Sequence, residues 1–238
     1  MNKQGRLALS LVLALGLTLC VVLLLDSGAT PTIAAVPEPH LPDVALATAD
    51  TRPIAVGLGS EPNLNTYHYG SIDSHKVASQ LLEGLFEHAP NGDVEPAGAL
   101  TYTVSADARV YTITLRSDAR WSDGVAVVSR HYVDGFLYTL APEADGFYTA
   151  VLFAIEGAED FHNGVITDTN LVGISALGDT LLEITLREPT GHFPSLMASP
   201  ATYPARLDII QSDPNWTEPG TLVGNGAYEL TAWAHNQQ

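Results

Sequence analysis

LTYTVSADARVYTITLRSDARWSDG, residues 100–124, is the stretch on which the fold turns. Apolar and polar residues alternate on both sides of a polar turn. In the second arm Tyr111, Ile113 and Leu115 point one way while Thr112 and Thr114 point the other, the period-2 pattern of a half-buried strand. The spacing predicts a β-hairpin running into Trp121-Ser122-Asp123-Gly124, where Ser, Asp and Gly supply a turn and Trp121 packs beneath it. Downstream the alternation returns at 172–177 and 180–186, joined by Gly178-Asp179, which predicts a second tight hairpin.

Helices are expected on either side of these hairpins. Residues 75–86 place Val77, Leu81, Leu82 and Leu85 at helical spacing, and 129–140 and 154–162 read as two more helices, the first with Ser129 as N-cap. Short strands are expected at 53–58, ended by Gly59-Ser60-Glu61-Pro62, at 85–88 before the Asn91-Gly92 turn, and at 227–233. Pro194 and Pro204 break up the segment between the second hairpin and the last strand. No repeat period is present, and strands and helices do not alternate strictly. The fold class is therefore α+β, or mixed α/β.

The N-terminus holds Lys3 and Arg6 and then an uncharged apolar run over 7–25, followed by Asp26-Ser27-Gly28-Ala29. Nineteen residues lie between the length of a cleavable signal and that of a membrane span. Residues 1–29 are thus a signal peptide cut after Ala29 or an N-terminal membrane anchor, and either places the rest outside the cytoplasmic membrane, periplasmic or at the cell surface. Pro31, Pro37, Pro39 and Pro42 make 30–52 an extended tether. Cys20 is the only cysteine, so no internal disulfide and no cysteine metal site can form; it reads as filler in the apolar run rather than as a lipid acceptor, because Leu19 stands where a lipobox wants a small residue. The net charge of −17, with acidic residues scattered rather than blocked, argues against nucleic acid and anionic lipid as partners.

Chemistry-bearing motifs are scarce. Gly-x-Ser-x-Gly, His-Glu-x-x-His and a glycine-rich phosphate loop before a lysine are all missing. Glu156 with Glu159, and Asp73 with Glu83, read as surface charge. The eight histidines show no standard ligand spacing; His68 and His75 lie seven residues apart without a third partner. Nothing here argues for an enzyme, a metal or any other cofactor.

Four strings occur in one order: Leu81-Leu82-Glu83-Gly84-Leu85-Phe86, Trp121-Ser122-Asp123-Gly124, Thr180-Leu181-Leu182-Glu183-Ile184-Thr185-Leu186 and Val223-Gly224-Asn225-Gly226-Ala227-Tyr228. In this the chain resembles, over about residues 53–238, the family 5 extracellular solute-binding proteins, the oligopeptide- and dipeptide-binding receptors of bacterial ABC importers. The resemblance implies the N-terminal lobe of a two-lobed, type II periplasmic-binding-protein fold. Residues 53–87 would begin lobe I, 88–205 would form an inserted subdomain with both hairpins, and 206–238 would return to lobe I. Family members are more than twice this long, so the second lobe is expected to be missing from these 238 residues.

The implied function is capture of a peptide or similar small solute outside the membrane and its delivery to an ABC permease; the alternative is an extracellular sensor or interaction module without transport. By resemblance the loop holding Gly70, Ser71, Ile72 and Asp73 faces the ligand cleft and offers backbone groups to it. Tyr148 falls where peptide-binding relatives place a ligand-contacting tyrosine, or it is a packed aromatic. Asn225 and Gly226 lie near the cleft, or form a tight turn. Some relatives bind nickel or haem, but the histidine spacing does not match that use. Gly70 departs from some relatives that carry an acidic side chain there, which favours a different substrate, or recognition through backbone, over recognition of peptide charge.

Overall fold

The computed structural model describes residues 56–235 apart from 69 and 147. The chain divides into Met1–Pro53 and Ile54–Gln238, and everything described lies in the second unit. The predicted signal or anchor and the tether lie outside the described residues, as do 53–55 of the predicted first strand. Residues 56–58 belong to no strand.

The two hairpins form as predicted and join edge to edge. Strands β3 (Ala99–Val104), β4 (Val110–Leu115), β5 (Ile174–Gly178) and β6 (Leu181–Thr185) make one antiparallel sheet in the order β3-β4-β6-β5; β1 (Phe86–His88) and β2 (Val94–Pro96) make a separate pair. In the sheet Tyr111 lies opposite Ile184 and Ile113 opposite Leu182. All four are buried, while Thr112 and Thr114 are not, so the period-2 pattern reports a real face. At the edge, Leu100, Tyr102 and Val104 of β3 alternate in the same way but stay exposed.

The second hairpin turns one residue later than its sequence suggests. Gly178 pairs with Leu181, so the loop is Asp179-Thr180, and the register slips between Ala176 and Gly178. That slip absorbs the extra residue as a bulge. The tip is held from outside: the Asp179 carbonyl accepts from Ser129 N at 2.8 Å, the Thr180 carbonyl accepts from Leu115 N at 2.8 Å, and the Ser129 hydroxyl donates to the Gly178 carbonyl.

Helix α2 (Ser129–Thr139) packs its buried Tyr132, Val133 and Phe136 into the core shared with the sheet. Ser129 is its first helical residue rather than its cap; Val128 stands at the cap, and the Ser129 side chain serves the hairpin tip instead. The predicted helix 154–162 is also split. A 3₁₀ turn covers Thr149–Ala154, Ile155 is extended and bridges to Leu186, and α3 (Ala158–His162) starts after Gly157, whose φ is 71°. Residues 227–233, expected as the last strand, form no strand and join no described ladder; among the described residues Tyr228 N donates to the Gln80 carbonyl at 3.0 Å.

Helix α1 (Ile72–Leu81) begins earlier than its apolar spacing indicates. Ser71 caps it, accepting from Ser74 N at 3.0 Å. At its far end three of the quoted strings meet. Ser122 N donates to the Gly224 carbonyl at 2.7 Å, and Gly226 N donates to the Leu81 carbonyl at 2.9 Å. The Asn225 side chain bridges one residue in the manner of a backbone strand, its Oδ1 accepting from Glu83 N at 3.0 Å and its Nδ2 donating to the Glu83 carbonyl at 2.9 Å. A Cβ on Gly226 would come within 2.8 Å of three backbone atoms at the end of α1, so only glycine fits.

The Trp121-Gly124 turn closes through Trp121 N to the Val125 carbonyl and Gly124 N to the Trp121 carbonyl, both 2.8 Å, with Gly124 at φ 86°. Trp121 is buried, and its Nε1 donates to His131 Nδ1 at 3.1 Å; Val128 N donates to the same nitrogen at 3.2 Å. Two N–H groups aimed at one ring nitrogen require it to be unprotonated, so His131 is neutral with its proton on Nε2. Burial first, and then the nearby Arg206 cation, hold its pKa below the ordinary value of a histidine. Arg206 in turn donates to Asp123 at 2.7 Å and embraces Asp208 at 2.8 and 2.7 Å.

Two outcomes follow from these contacts. Gly226→Ala is expected to cost about 1–3 kcal/mol, the scale of overpacking a tight contact, and to lower the thermal midpoint by several degrees; an unchanged melting curve would contradict the close approach. Because the folded-state pKa of His131 is depressed, its contribution is complete above about pH 6.5, the unfolded value, and is lost as pH falls through the folded value. Stability measured by urea denaturation is expected to drop on acidification in that range, and His131→Gln, which keeps an acceptor but does not titrate, to flatten the drop.

Candidate functional site

The residues singled out for ligand contact fall into two places. Gly70, Ser71, Ile72 and Asp73 are not a loop but the approach and first turn of α1, with Ser71 as its cap. Gly70 and Ser71 are exposed, and the Ile72 side chain is 76% exposed, an apolar group presented to solvent at the head of a helix. The polar first turn explains why hydrophobic spacing alone placed the start of the helix three residues late.

Asp73 is engaged within the lobe. Its Oδ2 accepts from Gly59 N at 3.0 Å, Ser60 N at 2.9 Å and the Ser60 hydroxyl at 3.0 Å, and its Oδ1 accepts from Lys76 Nζ at 3.0 Å. Lys76 most strongly, then Ser60, hold its carboxyl below the usual carboxylate range. The carboxylate therefore fastens residues 59–60 to the head of α1.

Tyr148 lies on the same side. It is half-buried at the start of the 3₁₀ turn, and its ring centroid is 6.2 Å from that of His75, one helical turn beyond Ser71, whose carbonyl accepts from His75 N at 2.9 Å. His75 Nδ1 is buried without a hydrogen-bond partner among the described residues, and burial depresses its pKa. Burial raises the phenol pKa of Tyr203 strongly, with Tyr148 adding in the same direction. His75, considered in the sequence only as a metal ligand, and Tyr203, not singled out there, are neighbours of the candidate face; the helical offset of His75 from Ser71 was the available signal.

Asn225 and Gly226 are at the opposite end of α1, engaged with Glu83 and Leu81. Ten helical residues at about 1.5 Å each, some 15 Å, separate the two places. The structure thus brings Tyr148 to the 70–73 group through His75 and holds Asn225 and Gly226 apart from it.

No three His, Cys, Asp or Glu side chains gather as a metal-ligand set among the described residues. His68 instead places Nε2 3.1 Å from the Tyr138 carbonyl, with its ring 4.2 Å from the Tyr138 ring. No described helix is long and apolar enough to cross a membrane.

Residues 93–238 match the family described as bacterial extracellular solute-binding proteins, family 5 middle. The chain is 34% identical over 210 residues to the periplasmic oligopeptide-binding protein OppA of Escherichia coli, a match covering 82% of this chain and 38% of that protein. It is 31% identical to the dipeptide-binding protein DppE of Bacillus subtilis, over 68% of this chain and 30% of that one. Among solved structures, Listeria monocytogenes OppA bound to peptide superposes with a TM-score of 0.68 at 30% identity, covering 72% of this chain and 34% of that one. The unliganded open form of the murein tripeptide-binding protein MppA gives 0.71 at 29%, covering 76% and 35%. The chain therefore spans about a third of these relatives' lengths, within the type II periplasmic-binding-protein fold. It belongs to the family 5 bacterial extracellular solute-binding proteins.

Proposed function

We propose that this chain is the N-terminal, ligand-contacting part of the substrate-binding component of an ABC importer for peptides. The carrying observation is the presentation of Gly70, Ser71 and Ile72 at the anchored head of α1 beside Tyr148 and His75. Exposed backbone next to Gly70 suits recognition of a peptide main chain, since such bonds read no particular side chain. Ile72 and Tyr148 add apolar area for whatever side chain lies over them.

In this reading Asp73 acts indirectly, by holding residues 59–60 against the helix, and Asn225 with Gly226 braces the far end of α1 instead of touching ligand. No chemistry is performed on the peptide. A captured peptide would be enclosed by a second lobe and passed to a permease in the membrane, with residues 7–25 serving as export signal or tether. The many oligopeptide- and dipeptide-binding proteins among the relatives support peptides over other solutes.

The reading is tested by titrating the chain with short peptides and following backbone amide resonances. Residues 70–73 and the Tyr148 ring are expected to shift at millimolar peptide. Tyr148→Ala is expected to weaken binding about tenfold, equivalent to about 1.4 kcal/mol, measured at a temperature where the variant is still folded, since Tyr148 also packs on the core. If peptide moves no resonance on this face while the fold is intact, the assignment fails.

A further inference from the structure

The two ring nitrogens of His75 are unequal. Nδ1 is buried and has no hydrogen-bond partner among the described residues, whereas Nε2 of the same half-buried ring is not enclosed in that way. A buried N–H without an acceptor is rarer in folded proteins than a buried acceptor left bare, and a neutral imidazole carries a single N–H. The proton therefore belongs on Nε2, the nitrogen still open to a partner, and Nδ1 keeps its lone pair inside.

The surroundings keep this ring uncharged. The turn Pro200–Thr202 packs on both α1 and the 3₁₀ turn Thr149–Ala154, and neither turn holds a charged residue. The titratable groups on that side are phenols, Tyr148 against the ring and Tyr203 beyond Tyr148. On α1 itself the Asp73 carboxylate is taken up by residues 59–60 and Lys76. Burial depresses the imidazole and no carboxylate counters it. An imidazolium would also need a second N–H, on Nδ1, where no acceptor stands among the described residues.

We propose that His75 is a specificity-determining residue of the peptide site, a fixed neutral donor whose Nε2–H takes a main-chain carbonyl oxygen of the bound peptide while Tyr148 packs beside the ring. The inference rests on the reading of this face as the peptide site and adds to it the group that reads the carbonyl. Every residue of a peptide carries a carbonyl, so the contact is blind to side chains. It also admits proline, which lacks an N–H but keeps its carbonyl. Because the neutral ring is the binding form and its folded-state pKa is depressed, affinity is constant above about pH 6.5, the unfolded value, and falls as pH drops through the lower folded-state value.

The test uses the whole 238-residue chain and trialanine as the probe. Ring-nitrogen chemical shifts of the free chain are expected to show the Nε2–H tautomer of His75 and a titration midpoint below about 6.5; the Nδ1–H tautomer, or a midpoint at or above that value, overturns the proposal before any peptide is added. With trialanine, the His75 Nε2–H signal is expected to shift together with residues 70–73. His75→Phe keeps a ring against Tyr148 without a donor and is expected to weaken binding about fivefold, the scale of one neutral hydrogen bond. His75→Gln offers an N–H that does not titrate, and is expected to recover part of that loss and to remove the fall in affinity at acid pH; it carries the test if His75→Phe does not fold. Should trialanine move residues 70–73 while His75 stays unmoved, or should the acid loss persist in His75→Gln, the donor role is wrong and the peptide reading stands. Should trialanine move nothing on this face, both fail.

Discussion

Everything else in this lobe hangs on the junction at the C-terminal end of α1, where Leu81 and Glu83 receive a chain segment from more than 140 positions away. Asn225 supplies a side-chain amide in place of a strand, satisfying both backbone groups of Glu83. Gly224 and Gly226 supply absence: a Cβ at either would collide with the backbone of Leu81. The Trp121-Gly124 turn holds the same segment from the other side through Ser122 and Gly224. A helix end normally leaves carbonyls unsatisfied, and here the Leu81 and Gln80 carbonyls are capped by Gly226 N and Tyr228 N. Remove this junction and α1 loses its terminus, Trp121 loses a neighbour, and the return segment has no fixed course.

From that junction the constraint passes to the sheet. Gly84 and Leu85, just beyond α1, accept from Gly98 N, Ala97 N and Ala99 N, which sets where β3 begins. Arg116, following β4, donates to Glu83 at 2.8 Å. His131 then couples the Trp121 turn to the first turn of α2, whose Ser129 grips the tip of the second hairpin. The four strings are therefore one connected set of backbone and side-chain bonds.

The parts legible in the sequence are those whose cause is local. Alternation marked Tyr111, Ile113 and Leu115 as buried because a strand's faces are set by its own pleat, and Asn91-Gly92 marked its turn because φ at Gly92 is 89°. The parts that escaped have distant causes. Ser129 looks like a cap by composition, yet its hydroxyl is taken by a carbonyl 49 residues away. The start of α1 was hidden because its first turn, Ile72-Asp73-Ser74, presents an exposed isoleucine and an aspartate bonded to residues 59–60, so hydrophobic spacing begins only at Val77. Asn225 read as a neighbour of the cleft or as a turn residue, since nothing nearby in sequence announces that its amide pairs with Glu83. At the candidate site the same division holds: Ser71 and Asp73 were visible as residues, but the nearness of Tyr148 to His75 exists only in the folded chain.

Fixing a helix at both ends has a consequence for recognition. With Asp73 tied to residues 59–60 and the C-terminal end tied to Asn225 and Gly226, α1 has little freedom to tilt, and the groups at its head keep one arrangement. A surface that reads peptide main chain gains from this, because every degree of freedom already lost in the free protein is one that binding need not remove. Selectivity among side chains asks for the reverse, adaptable walls and specific charges. Among the described residues, Lys76, Arg109, Arg116, Arg130, Arg187 and Arg206 pair with carboxylates of the lobe itself, and exposed Arg120 donates to the Ser117 and Ala119 carbonyls. Rigid backbone presentation with most of its cations engaged inside the lobe is what the proposed recognition of a peptide through its main chain would require, with discrimination left to other surfaces.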